Sequence, residues 1–206
     1  MDDIDFQTGD IILFNENHIF SSFGLFSYLI KVFTHSNWSH VGMVVKDPEF
    51  TGKPLPKGLY LWESSLEFDD AENHQVKLAV QLVPLKTKID SFKGIIHYRR
   101  LNKGNIIVTT ENLRKIHKLV HGKPYDLNPS DWLDALFEKV GKPTSNRYFC
   151  SALIARIYEY LGFIDGNIDW SIIRPSSFSI ENSNDKTHII MLHGSSLGPE
   201  ILIKND

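Results

Sequence analysis

The stretch Tyr148-Phe149-Cys150-Ser151-Ala152-Leu153-Ile154-Ala155-Arg156-Ile157-Tyr158-Glu159-Tyr160-Leu161-Gly162 leaves this chain the fewest choices. Leu153, Ile154, Ile157 and Leu161 recur at helical spacing, Arg156 and Glu159 fall outside that stripe, and Gly162 marks a stop. Cys150 stands on the stripe at the first turn and is the only cysteine among 206 residues. A thiol at a helix N-terminus meets unpaired backbone N–H groups and the positive end of the macrodipole, and both favour thiolate. Read without its surroundings, a lone cysteine there is a small buried hydrophobe. The upstream sequence decides between packing and chemistry.

One internal cysteine excludes an intramolecular disulfide framework and points to a reducing interior. The start, Met1-Asp2-Asp3-Ile4-Asp5, is acidic where a secretory leader is basic, so an intracellular, soluble protein is expected. A net charge of −3 without a basic run argues against nucleic acid as partner. The longest apolar patch, residues 19–33, is too short to span a bilayer. Phe23, Phe26, Ile30 and Phe33 have helical spacing and are expected to face a core. Their alternative use is a lip for an acyl chain or a peripheral membrane contact. Length and composition fit a single domain over residues 1–206.

In order, Thr8-Gly9-Asp10 is a turn before the buried strand Ile11 to Phe14. Ser39 to Val45 reads as a strand beginning at a histidine, and Leu59 to Ser64 as its partner across a loop rich in Pro and Gly. Antiparallel pairing that sets Val45 near Leu59 brings His40 near Glu63. With a compatible register, period-two alternation puts both on one face at the open end of the hairpin. Two strands, Lys77 to Leu85 and Gly94 to Leu101, follow. Thr110 is a candidate cap for a helix reaching Gly122, and Ser130 for one over Asp131 to Val140. Residues 165–177 read as loop, and Thr187 to Leu192 and Glu200 to Lys204 as closing strands. Strands, then helices, then strands indicate an α+β fold.

Cys150, His40 and Glu63 supply what thiol hydrolysis needs: a nucleophile, a proton carrier and a carboxylate to orient the imidazole. Glu63 at the ring of His40 favours imidazolium, and imidazolium favours thiolate. Nine histidines without a His-Glu-x-x-His or paired-cysteine pattern give no expectation of a metal, and no cofactor is called for. Ser151 is a weak rival nucleophile, lacking a Gly-x-Ser-x-Gly elbow. Trp38, Trp132 and Trp170 either wall the cleft or pack. Arg147 is read as a solvated loop charge.

Five motifs stand in order: Gly9-Asp10-Ile11-Ile12-Leu13-Phe14, Ser39-His40-Val41-Gly42-Met43-Val44, Trp62-Glu63-Ser64, Gly122-Lys123-Pro124-Tyr125-Asp126 and Phe149-Cys150-Ser151-Ala152-Leu153. Together they resemble the circularly permuted NlpC-type papain-like family of bacterial and poxviral proteins, related to lecithin–retinol acyltransferase. The likeness runs from about Gly9 to Phe178. It implies a papain-like fold, a small sheet or barrel packed on the cysteine helix, with Cys150 as nucleophile, His40 as base and Glu63 as orienting group. Tyr125, Asp126 and Ser151 are candidates for the substrate or oxyanion site; Tyr125 and Asp126 are equally well a packed turn. Ala152 departs from the Cys-Ser-Glu-Leu pattern common in that family. The chain has neither the Asn-Cys-Glu-His sequence nor the second histidine of the retinol-acyltransferase branch, which places it with the bacterial and viral one. The implied reaction is hydrolysis or acyl transfer at an amide or ester, with cell-wall peptides, N-acyl amino acids, other lipid amides and esters, or isopeptides as substrate classes. The rival expectation is a catalytically silent protein that keeps the cleft to hold a ligand.

Overall fold

A computed structural model describes residues 4–16, 37–65, 70–74, 79–123, 150–169, 173–181 and 189–206. Among these, six strands form one sheet: β1 (Ile11–Glu16), β2 (His40–Lys46), β3 (Leu59–Ser65), β4 (Ala79–Pro84), β5 (Gly94–Arg99) and β8 (Ile201–Asn205). Their order is β4-β3-β2-β1-β5-β8, and every pairing is antiparallel. The sheet is open rather than closed into a barrel. A separate two-stranded ribbon joins β6 (Leu101–Asn102) to β7 (Ser196–Leu197). The helices are α1 (Leu85–Ser91), α2 (Thr110–Val120) and α3 (Cys150–Leu161), with a 3₁₀ turn at Pro175–Phe178. The α+β class stands.

Side-chain alternation divides the sheet's contacts into two cores. Ile11, Leu13, Val41, Met43, Val45, Trp62 and Leu82 pack with Leu113, Ile116 and Val120 of α2 and with Leu153, Ile154 and Ile157 of α3. Ile12, Phe14, Val44, Leu61, Val83, Ile96 and Tyr98 form the second core with Leu85 and Ile89 of α1. Sheet and helices thus sandwich most of the central strands, which explains their nearly unbroken apolar runs.

Nine of the twelve residues of α3 are buried, so this helix is central rather than amphipathic at a surface. It stops where its glycine stands. Gly162 takes φ +84°, its N–H donates to Glu159 O, and the Phe163 N–H donates to Tyr158 O, a Schellman-type ending. The Tyr158 hydroxyl donates to Gly9 O at 2.6 Å, tying α3 to the turn before β1.

Four local expectations are amended. The strand expected to run through Leu85 ends at Pro84, and Leu85 opens the helix α1, whose final carbonyls and C-cap carbonyl are taken by Lys204 Nζ, which donates to Ile89 O, Asp90 O and Phe92 O. The cap of α2 is Thr109, whose Oγ1 accepts from the Asn112 N–H, not Thr110. Within 165–177 a 3₁₀ turn begins at Pro175. Of the closing strands, the last is present one residue later; in the other, Thr187 and His188 lie outside the described residues, and in its described part, residues 189–192, Met191 forms an isolated bridge to Ile164. The expected helices over 19–33 and 131–140 lie outside the described residues. Among the described residues no helix is long and apolar enough to cross a membrane.

Candidate active site

The site grows from the way β2 leaves β3. The ladder between them runs from Lys46↔Leu59 to Met43↔Trp62 and goes no further, although β3 continues beside β4 to Ser65↔Ala79. Relative to the expected hairpin the register is shifted: Val45 faces Tyr60, not Leu59. Extended to the end of the strand, this register sets Gly42 level with Glu63 and leaves His40 diagonal to it. The one-residue shift decides the faces: Val45 opposite Leu59 would set Glu63 against Val41, on the other face from His40, whereas the observed register sets Glu63 with Gly42 and His40 on one face. The gap is closed by the side chains, His40 Nε2 donating to Glu63 Oε2 at 2.7 Å.

Parting of the strands also frees a donor. The Val44 N–H donates to Asp10 O across the β1–β2 pair. Alternation from there makes Val41, opposite Leu13, a non-hydrogen-bonded position with its N–H turned away from β1. That N–H meets the sulfur of Cys150, as does the N–H of Ser151. The thiol belongs to the α3 side of the sheet and the imidazole to the α1 side; they meet at the end of β2, where His40 is the first residue. With Nε2 held by Glu63, Nδ1 is the ring nitrogen left to face Cys150.

The cluster is nearly dry. Cys150 is 2% exposed and Glu63 fully buried, while the His40 side chain keeps 17% exposure as the opening toward solvent. Glu63 is fully occupied: Oε1 accepts from Ser65 Oγ at 2.7 Å, and Ser65 Oγ accepts from Gln81 Nε2 at 3.0 Å. Lys88 of α1, itself 2% exposed, brings Nζ to 3.2 Å from Glu63 Oε2 and lies 5.6 Å from the centre of the Phe14 ring. Phe14 also packs against His40, ring centres 5.3 Å apart.

These contacts determine the charges. Burial would raise the Glu63 carboxyl, but the Lys88 ammonium and the His40 imidazolium, with the Ser65 hydroxyl, hold it down at about 2. Burial would lower His40; the Cys150 thiolate and then Glu63 raise it to about 9. Burial would likewise raise the Cys150 thiol, and the imidazolium with the two backbone N–H groups lowers it instead. The favoured state is thiolate and imidazolium beside carboxylate and ammonium, two charges of each sign. Chemically this is a prepared sulfur nucleophile with a proton held next to it.

The structure therefore brings together three of the six sequence candidates and adds Lys88, Ser65 and Gln81. Ser151 is adjacent, but its hydroxyl donates to Ile173 O at 2.7 Å, so its backbone N–H is the group that faces the sulfur. Tyr125 and Asp126 lie outside the described residues, as do Arg147, Trp132 and Trp170. Trp38 packs: its Nε1 donates to Ser179 Oγ at 2.8 Å and its ring joins the first core. Lys88 carried one signal in sequence, a lysine directly before the apolar Ile89 in a stretch too short to show a helical period.

A histidine and a carboxylate on an open antiparallel sheet, followed in the chain by a thiol on a buried helix, make a permuted papain-like arrangement. The chain belongs to the C92 family of permuted papain-like amidase enzymes (YaeF/YiiX), whose family model matches residues 5–183. The class of that family is the cysteine-dependent, peptidase-like amidase. Among solved structures the chain is similar to one described as metalloprotein yiiX from Escherichia coli O157:H7, DUF1105, with 26% identity and a TM-score of 0.43. The match covers 74% of this chain and 64% of that one, so this chain spans less than two thirds of its length. No curated protein matches the sequence.

Proposed function

We propose that the protein cleaves an amide or ester bond through Cys150, His40 and Glu63, by way of a thioester. The observation that carries this reading is the buried contact chain from the Cys150 sulfur through the His40 ring to Glu63, with Nε2 and Oε2 2.7 Å apart. The Cys150 thiolate attacks the carbonyl carbon, and the C–O π pair moves to oxygen. As the intermediate collapses, imidazolium gives its proton to the departing amine or alcohol and a thioester remains. Water or another acceptor then loses a proton to neutral His40 and attacks the thioester. Collapse of this second intermediate restores the thiolate beside imidazolium. Glu63 holds the ring and favours its charged form. Lys88 acts one step back, keeping Glu63 ionised and fixed.

Family membership supports an amide as the bond cleaved. The substrate classes compatible with the chemistry are peptides, N-acyl amino acids and lipid amides or esters. The apolar segment 19–33, which favoured an acyl-bearing substrate in the sequence, lies outside the described residues.

The test uses the single thiol. Its alkylation rate is measured against pH in the wild type and in His40→Ala. The expected wild-type profile has an apparent pKa well below the ordinary value of about 8.5, and His40→Ala returns it to the ordinary range. An ordinary thiol in both proteins would overturn the reading and leave a ligand-binding cleft in its place.

A further inference from the structure

On the other side of β3 from Glu63 stands a second cluster of ionisable groups that the proposed chemistry does not use. His117 and His121 lie four residues apart, the first on the last turn of α2 and the second its C-cap, so both reach the same side. Their rings stack with centres 4.5 Å apart. Both point at one carboxylate oxygen: Glu72 Oε1 is 2.5 Å from His117 Nε2 and 3.4 Å from His121 Nδ1. Glu72 and His117 are buried, and the His121 side chain is 21% exposed.

We propose that Glu72, His117 and His121 bind one divalent transition-metal ion, zinc being the ion that best suits two imidazoles and a carboxylate.

Three features distinguish this cluster from an ordinary buried ion pair. First, the ligand atoms all lie within 4.8 Å of one another. Tetrahedral zinc with ligands at about 2.0–2.1 Å sets them about 3.3 Å apart, so side-chain adjustments of an ångström or so admit the ion. Second, His121 Nδ1 is buried and makes no hydrogen bond, despite facing the carboxylate. A lone pair there, turned inward, suits a cation. Third, Asp70 Oδ2 stands 3.4 Å from the opposite nitrogen, His121 Nε2. A carboxylate behind a histidine places the proton on the far nitrogen and leaves the near one to ligate.

The surroundings are rigid and apolar where a metal site needs them. Asp70 Oδ1 accepts the N–H of Leu82 and of Glu72, and the Ala71 N–H donates to Leu82 O, fastening the turn at 70–74 to the edge of β4. Trp62 and Phe50 pack on the His117 ring at 5.7 and 5.4 Å. Three protein ligands leave a fourth position for water on the exposed side of His121. The ion would join that turn to α2, and Trp62 and Glu63, neighbours on β3, point to opposite faces, so it sits across the sheet from Lys88 and Glu63. Its role is to fasten the wall behind the catalytic strand.

The metal-stripped full chain is titrated with Co²⁺ and with Zn²⁺, following cobalt d–d absorption and the thermal unfolding midpoint. One ion per chain is expected, with tetrahedral-type bands, no near-ultraviolet thiolate charge-transfer band, and a midpoint raised by several degrees at saturating zinc. Cys150→Ser leaves this unchanged. Glu72→Gln and His121→Gln each weaken binding at least tenfold while unfolding, without metal, within a few degrees of wild type. His117→Gln, more deeply buried, is the confirming variant and not the deciding one. No stoichiometric binding at micromolar metal, binding unaffected by both deciding variants, or binding lost in Cys150→Ser would each overturn the proposal.

Discussion

Lys88 decides whether the buried carboxylate at the heart of the site can exist as an anion. A carboxylate in a fully buried position costs several kcal/mol unless it is paired. Glu63 has His40 on one side and Lys88 on the other, and loss of Lys88 leaves thiolate, imidazolium and carboxylate with an uncompensated negative charge. Lys88→Met is therefore expected to lower stability by about 3 kcal/mol, the scale for breaking a buried pair. It also moves the acid-induced loss of stability to higher pH, because the ammonium is the largest influence holding the Glu63 carboxyl down. Adding Glu63→Gln removes both charges, so the double variant recovers stability relative to Lys88→Met while remaining catalytically impaired. Urea denaturation and kcat/KM on the same three proteins check this. If the double variant is no more stable than Lys88→Met, Lys88 contributes by packing and not by charge. The residue also shows where sequence reasoning stops. A lysine near an apolar residue is most often a solvated face, and only the fold reveals a carboxylate across the gap.

At the scale of elements, the site depends on β2 and β3 lying close and then parting. Gly42 is where the closeness is tightest. A Cβ added there would meet Leu61 Cγ and Cδ1 at 2.7 Å, and Leu61 is fully buried in the second core with no room to retreat. Gly42→Ala should force the strands apart beside Glu63, with a stability loss of about 1–3 kcal/mol from overpacking. Stretching of the His40–Glu63 contact should lower kcat more than it changes KM. Unchanged kinetics in a destabilised variant would show that the triad tolerates strand movement. The hairpin itself was legible: apolar alternation on both strands and the Pro- and Gly-rich loop between them place a histidine and a glutamate at the same open end, and the register then decides whether they share a face. The register was not legible, because the loop is long and no tight turn sets it. The helix α3 was legible from its period and its glycine. The helix α1 was not: seven residues give no clear period, and its end is held by Lys204 from β8, more than a hundred residues on. The histidine pair on α2 had the right spacing in plain view, but its carboxylate comes from a turn 45 residues earlier, so no local pattern signals the cluster.

Across the whole molecule, the same charges determine how stability follows pH. Glu63 has an ordinary value of 4.5 and a folded value of about 2. A lowered carboxyl stabilises fully above its unfolded value, so this contribution is complete above pH 4.5 and is lost as pH falls toward 2. The difference of 2.5 units corresponds to about 3 kcal/mol. Glu72, also lowered, adds loss of the same sign. His40 runs the other way: raised from 6.5 to about 9, it stabilises fully below pH 6.5 and loses that contribution as pH rises through about 9. Cys150, lowered from 9.0, stabilises fully above that value and loses its contribution as pH falls. Taken together, the last two cancel on the alkaline side. Between about pH 6.5 and 9 the unfolded pair keeps one proton on sulfur, and the folded pair keeps one proton on imidazole. Equal proton counts mean no slope. Stability from urea denaturation should therefore change little across this range yet fall on acidification below pH 4.5, with Glu63→Gln showing the shallower acid limb. A steep alkaline loss beginning near pH 6.5 would mean that the imidazolium proton has no matching thiolate, and the ion pair on which the proposed chemistry depends would be absent.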